Sequence, residues 1–308
     1  MSIIFGPINS RRFGLSLGID LSPAQKSCNF DCLYCELEPA KPIDAIQNPP
    51  SVKEVIQETQ KALQEFREVD VITVTANGEP TLYPYLDELV DELNRIKEDK
   101  KLLILSNASR IHELAIQQTL TKFDIVKLSL DSVDQRTFKR LDRPLKGIEV
   151  QDIIHGMVYF RNIYDGFLVI EILVVQGIND KPQEFVALNE VLQQIKPDRI
   201  DIGTIDRPPA YKVAPVSYEK LYELSKHIKN LPVTIVSRKK EHSYQLHLSK
   251  DELIDLLTHR PLTQEDIDTL FDEETIKLVR KLLKDKAITK RNVGNVTFFD
   301  ATVHTISK

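Results

Sequence analysis

Tryptophan is absent from the 308 residues, and cysteine occurs only three times. No stretch approaches the roughly 18 consecutive apolar residues of a membrane-spanning helix, so no membrane partner is expected. The opening residues, MSIIFGPINSRRFG, hold too short an apolar run, with arginines after it, to read as a secretory signal. A net charge of −5 excludes a globally basic nucleic-acid binder, although a local basic stripe stays open. Three cysteines, odd in number and clustered, do not make a disulfide framework. They read as metal-binding thiols of a reduced, cytoplasmic chain. What is present is ordinary for a globular protein: 42% apolar and 28% charged residues, with length for one large or two smaller domains.

Up to about residue 240, six strand-like segments alternate with helical patterns. The strands are LSLGIDL (15–21), VDVITVTA (69–76), KLLILSN (101–107), FDIVKLSLD (123–131), FLVIEILVV (167–175) and DRIDIGT (198–204). Helical spacing runs near 51–67, 82–97, 109–119, 149–164 and 181–195. Such alternation predicts an α/β fold of parallel βαβ units. Periodicity leaves open whether the sheet closes into a barrel. The unusual residues all follow strands, and in parallel α/β folds active sites form at the carboxyl ends of strands. The candidate chemistry is therefore expected at one mouth.

The pattern changes at about residue 246. SKDELIDLLTHR, LTQEDIDTLF and DEETIKLVRKLLKDK read as three helices, the second started by Thr263 with Asp266 three residues on. AITKRNVGNVTFF reads as a hairpin turning at Gly294-Asn295. The expectation is a core domain over residues 1–245 and a small winged helix-turn-helix-like domain over 246–308. Its basic run, Lys277, Arg280, Lys281, Lys284, Lys286, Lys290 and Arg291, fits contact with a tRNA or DNA backbone. It fits equally a solvated face that docks on the core or on a protein.

All three cysteines lie in KSCNFDCLYCELEP (26–39), spaced C-x3-C-x2-C. Zinc prefers four closed ligands, and the chain has no fourth cysteine; the nearest histidine in sequence is His112. An iron–sulfur cluster held by three cysteines, with one iron open to a small molecule, is the sharper reading.

With Tyr34 immediately before Cys35, the motif resembles that of the radical S-adenosylmethionine (SAM) superfamily. The resemblance implies a partial (β/α)6 barrel carrying one [4Fe-4S] cluster on Cys28, Cys32 and Cys35, with SAM as fourth ligand. Asn77-Gly78-Glu79 matches the family's Gly-Gly-Glu-like segment, with asparagine for the first glycine. By the same resemblance Tyr34, Ser106, Asn107, Ser129 and Asp131 belong to the SAM pocket, and Val175 and Ile178 to its adenine wall. It also implies reductive cleavage of SAM, a 5′-deoxyadenosyl radical and an electron donor such as flavodoxin or ferredoxin. FGPINSRRFGLSLGIDL, NGEPTL, SLD…RP and RPP narrow the likeness, over roughly residues 5 to 215, to a wyosine-synthase-like subgroup acting on tRNA. The chain departs from it in having no cysteines for a second cluster.

Arg11, Arg12, Arg143 and Arg207 stand at or near strand ends, and Lys127 lies within a strand where alternation from Ser129 points it inward. Each is a candidate to hold an anionic substrate or, taken alone, a solvated or ion-paired charge. Glu171, a carboxylate inside an apolar strand, requires a partner there and is a further candidate. The rival function is a metal- or redox-responsive regulator that senses through the cysteines and binds nucleic acid through the tail.

Overall fold

The computed structural model describes residues 2–10, 12–235, 246–259, 261–293 and 296–302. Its core contains β1 (Ile4–Ser10), β2 (Gly14–Asp20), α1 (Val52–Glu65), β3 (Val71–Thr75), α2 (Leu86–Ile96) and β4 (Lys101–Ser106). There follow α3 (Leu114–Leu120), β5 (Ile125–Ser129), α4 (Gln135–Leu141), α5 (Val150–Ile163), β6 (Phe167–Val174) and α6 (Pro182–Ile195). The core ends with β7 (Arg199–Thr204), α7 (Tyr218–Ser225) and β8 (Val233–Ile235). The strands form one sheet in chain order, with β1 antiparallel to β2 and every later pair parallel.

Alternation along the strands divides the sheet into two unlike faces. Ile19, Ile72, Ile104, Val126, Ile170 and Ile202 are fully buried beneath the helices, in one cluster with Leu89, Leu93, Phe160 and Leu188. The intervening positions include the polar Ser16, Thr73, Lys127, Glu171 and Asp201 beside the apolar Leu103 and Val169. Ser129, Glu171 and Asp201 sit abreast on adjacent strands.

The curvature follows from Arg12. It lies in the turn between β1 and β2, yet its Nη1 donates to Glu171 on β6 at 3.1 Å and to Asp201 on β7 at 2.6 Å. In a flat sheet, β6 would stand about 19 Å from β2, four spacings of about 4.8 Å. An arginine spans that gap only because the sheet curls on itself, polar face inward. The expected partial barrel is formed, with its six strands flanked by β1 and β8.

Those two strands escaped the sequence reading for physical reasons. β1 carries Gly6 and Pro7, and proline is tolerated only at a sheet edge or irregularity; here a register shift falls between Phe5 and Ile8. β8 has three residues, too few to show a period. The short helices α4 and α7 were also missed.

The tail contains α8 (Lys250–His259), β9 (Leu262–Thr263), α9 (Gln264–Leu270), α10 (Glu273–Lys284), β10 (Ile288–Val293) and β11 (Val296–Ala301). The three expected helices and the hairpin are there, and β9 adds a third antiparallel strand beside β11. Thr263 caps α9 in a reciprocal box with Asp266. Leu253, Leu256, Ile267, Phe271, Val279 and Phe299 make a separate apolar cluster that also takes Ile8 from β1, so the tail covers the sheet's edge strand. The Gly294-Asn295 turn and the boundary at residue 245 lie outside the described residues. No helix among the described residues is long and apolar enough to cross a membrane.

Candidate functional site

The cysteine loop leaves β2 at Asp20, whose Oδ1 accepts from Ser22 N at 2.8 Å and from Asn77 N at 2.7 Å. Ser27 N then donates to Asn77 O at 2.7 Å, and Glu79 N donates to Ser27 O at 2.9 Å. Gly78 lies between these two bonds at φ +145°, and a Cβ there would stand 1.8 Å from Ser27 O. The glycine of NGEP is thus required because the cysteine loop's backbone passes directly over it. Two segments fifty residues apart are joined into one unit.

Glu79 is buried, and its carboxylate accepts four bonds. Thr81 N, Thr81 Oγ1 and Ser106 Oγ donate to Oε1 at 3.0, 2.7 and 2.7 Å, and Asn107 N donates to Oε2 at 2.7 Å. Burial raises its pKa against those donors. Asn107 Nδ2 donates to Asn29 Oδ1 at 2.9 Å and lies 3.7 Å from Cys28 Sγ. Asn77, Gly78, Glu79, Ser106 and Asn107 therefore form one wall against Cys28.

The opposite flank is a backbone ladder. Asp31 N and Leu33 N donate to the carbonyls of Asp142 and Leu141 at 3.1 and 2.9 Å, and Leu145 N donates to Asn29 O at 2.8 Å. A third segment joins where Ala210 N donates to Cys35 O at 2.9 Å. Tyr34 points beneath the loop and donates its hydroxyl to Asp131 Oδ2 at 2.5 Å, with Asp142 Oδ1 at 3.3 Å. Asp131 Oδ1 accepts from Leu173 N at 2.7 Å. Burial lifts both carboxyls, Asp131 to about 6, and Asp142 is raised further by Asp131's charge. Asp131 thus fastens Tyr34 to β6. Val175 and Ile178 pack with Leu33 and Tyr34 in one small apolar cluster.

The thiols are desolvated. Burial, then the charge of Glu79, pushes Cys28 up to about 12. Burial and then Asp142 raise Cys32, and burial raises Cys35 although the nearby Lys26 ammonium opposes it. Thiols so placed become thiolates only beside a strong positive charge, which a metal centre supplies. No three acidic, thiol or imidazole groups among the described residues converge on one point that could hold a single ion. Thiolates that bind separate irons of a cluster need no such convergence. The donor set fits a cluster.

The barrel interior holds a charge network. Lys127 Nζ stands 2.5 Å from Glu171 and 3.9 Å from Asp201, while Arg199 Nε stands 2.8 Å from Asp201. Burial would raise Glu171, but Lys127 and then Arg12 outweigh it and hold the carboxyl at about 2. Burial lowers Lys127 against the pull of Glu171. Arg12, by contrast, is held above its ordinary value by Glu171 and Asp201 despite burial.

Each described arginine expected to hold an anion already has a carboxylate. Arg12 pairs with Glu171 and Asp201, Arg143 with Asp31 at 3.1 Å, and Arg207 with Glu36 at 2.5 Å. Arg11 lies outside the described residues. Lys26, Asn29, Asp31, Asp142, Asp201 and Tyr211 were missed. Asp31 had a signal, since it lies between Cys28 and Cys32. Tyr211, whose hydroxyl donates to Asp31 Oδ2 at 2.6 Å, had none, because only the fold brings it there.

Comparison with known proteins agrees with this geometry. The family model described as the Radical SAM superfamily matches residues 23–188. A UPF0026 protein of Helicobacter pylori is 40% identical over 303 residues, covering 98% of each chain. A structure of Streptococcus suis SuiB bound to S-adenosylmethionine superposes with TM-score 0.54 at 19% identity, covering 72% of this chain and 51% of that one. A radical SAM methyltransferase from Sphaerobacter thermophilus gives TM-score 0.57 at 15% identity, over 73% and 67%. At such identities these structures show likeness of fold alone. Nothing in these comparisons supports the regulator alternative.

Proposed function

The chain belongs to the radical SAM superfamily, and on that premise we propose that its one [4Fe-4S] cluster and SAM act on a substrate carrying an anionic group, held in the barrel hollow. Cys28, Cys32 and Cys35 are the cluster's ligands in this reading. When bound, the two cofactors supply one-electron cleavage of SAM and a carbon radical that takes a hydrogen atom from substrate. The observation that carries the reading is the bridge between Ser27 and Gly78, which joins the cysteine loop and the NGE segment.

The chain's own residues then divide by what they can reach. In this reading the backbone at Gly78 takes the amino group of SAM, and Ser129 at the end of β5 takes its ribose. Val175 and Ile178 supply an apolar wall. Glu79, Ser106 and Asp131, already committed to protein partners, hold these elements in position. Within the hollow, Arg12, Lys127 and Arg199 face Glu171 and Asp201, three cations against two carboxylates. That surplus of one positive charge favours an anionic substrate.

A nucleic-acid substrate is the narrower form of the proposal, in line with the segments that resemble wyosine-synthase-like enzymes. Residues 246–308, read as a winged-helix-like domain, would supply the contact: Lys277, Arg280, Lys281 and Lys284 are exposed on α10, as are Lys290 and Arg291 on β10.

The test is anaerobic reconstitution with iron and sulfide, reduction, addition of SAM and measurement of 5′-deoxyadenosine. Wild type is expected to form the nucleoside and Cys32→Ala to form none. A loaded, reducible cluster that leaves SAM intact, or a protein that takes up only zinc, would overturn the reading.

A further inference from the structure

The cluster must receive its electron from outside, and one face of the protein has the charge and position to admit a donor. Residues 136 to 146 contain Arg136, Lys139, Arg140, Arg143 and Lys146, all exposed, and a single acid, the buried Asp142. On a chain of net charge −5 this is a local inversion of sign. With the neighbouring Asp31, Asp134 and Glu149 added to Asp142, five cations face four carboxylates, and the cations are the exposed ones on α4 and its loop. Lys139 pairs with Glu149 at 3.0 Å and Arg143 with Asp31, so the patch is ordered at its centre. Arg143 is also held at φ +48° with its guanidinium 4.7 Å from the Tyr211 ring centre. A non-glycine residue adopts that conformation only where its surroundings fix it.

The patch is coupled to the cluster loop by the backbone. The stretch that carries the cations supplies the carbonyls of Leu141 and Asp142 to Leu33 N and Asp31 N, on either side of Cys32. An open recess is lined by Lys139, Arg143 and Lys146 together with Asp31 and Pro42 from the cysteine segment. A macromolecule seated on these cations is therefore one ladder of hydrogen bonds from the thiolates. Stacking of nucleic-acid bases needs exposed aromatic rings. Here Phe138 is buried and one face of the half-buried Tyr211 ring is taken by Arg143.

We propose that α4 and the loop after it form the docking face for a small, negatively charged one-electron carrier protein, which reduces the cluster across the ladder between residues 141–145 and 29–33. This rests on the cluster assigned above. The step balances as one electron: the carrier is oxidised by one, the cluster is reduced by one, and no atom or proton moves. Steering between opposite charges makes such docking salt-dependent.

The test follows cluster absorbance in stopped flow for wild type and a triple variant, Lys139→Glu with Arg140→Glu and Lys146→Glu. Photoreduced flavodoxin serves as the acidic donor and photoreduced deazaflavin as a small donor with no docking requirement. Reduction by flavodoxin is expected to slow at least tenfold in the variant and with added salt in wild type, while reduction by deazaflavin stays unchanged. Unchanged flavodoxin rates, or equal slowing with both donors, overturn the proposal. So does a variant that loses binding to bulk tRNA but not flavodoxin reduction, which makes the patch a nucleic-acid face. A wild type that loads no cluster removes the cofactor reading and this one together; a loaded cluster with donor-independent rates removes only this one.

Discussion

Glu171→Gln is the sharpest test of the charge network that spans the hollow. The substitution keeps the size and one acceptor oxygen but removes the negative charge facing Lys127 and Arg12. The surplus inside the barrel rises from one positive charge to two. The carboxyl's fall from 4.5 to about 2, at about 1.36 kcal/mol per pH unit, corresponds to about 3 kcal/mol. Its side chain is 31% exposed, and solvent screening brings the expected loss to about 2 kcal/mol. A depressed carboxyl stabilises the fold above its unfolded pKa and ceases to do so as pH falls through the folded value. Urea unfolding of the metal-free protein should thus show a gap between wild type and variant of about 2 kcal/mol at pH 7. The gap should be constant from pH 6 to 8 and narrow below pH 4.5. Adding Lys127→Met should recover more than half of the loss, because an unpaired buried charge costs more than a missing pair. A gap under about 0.5 kcal/mol at pH 7, or one that widens with acid, refutes the reasoning.

Three further outcomes follow from particular contacts. Gly78→Ala places a methyl group 1.8 Å from Ser27 O; it should cost about 3 kcal/mol or more and lower iron content after reconstitution, read by denaturation and iron analysis. Cluster loading should speed up between pH 7 and pH 9, since burial holds Cys28 near 12 and thiols must lose protons to bind iron; a loading rate independent of pH counts against the buried-thiol account. Thr263→Ala removes the hydroxyl that caps α9 and should cost about 1 kcal/mol in urea unfolding, with iron content unchanged.

Much of the site could be read before folding because its motifs are local. The cysteine spacing, NGEP and the polar residues after each strand are contiguous, and their strands stood out as short apolar runs between helical patterns. The inward polar face was visible in LSLGIDL and RIDIGT as every second residue. What spacing could not give was the pairing of charges. Arg12 and Arg207 stood in the sequence as candidates to hold an anion, yet each meets a carboxylate more than 150 positions away. Glu79 and Asp131 read as ligands, and both are committed to protein donors.

The sequence by itself determined the alternation of strands and helices, the three thiols and the glycine beside them, because backbone propensity and short motifs act over a few residues. Tertiary structure alone decided that the sheet curls, since only curvature brings Arg12 to β6 and β7. It also decided which side of the cysteine loop is basic, because the ladder from Asn29 to Leu145 joins segments more than a hundred residues apart. Electrostatics depends on distance in space, and the distances here were set by packing.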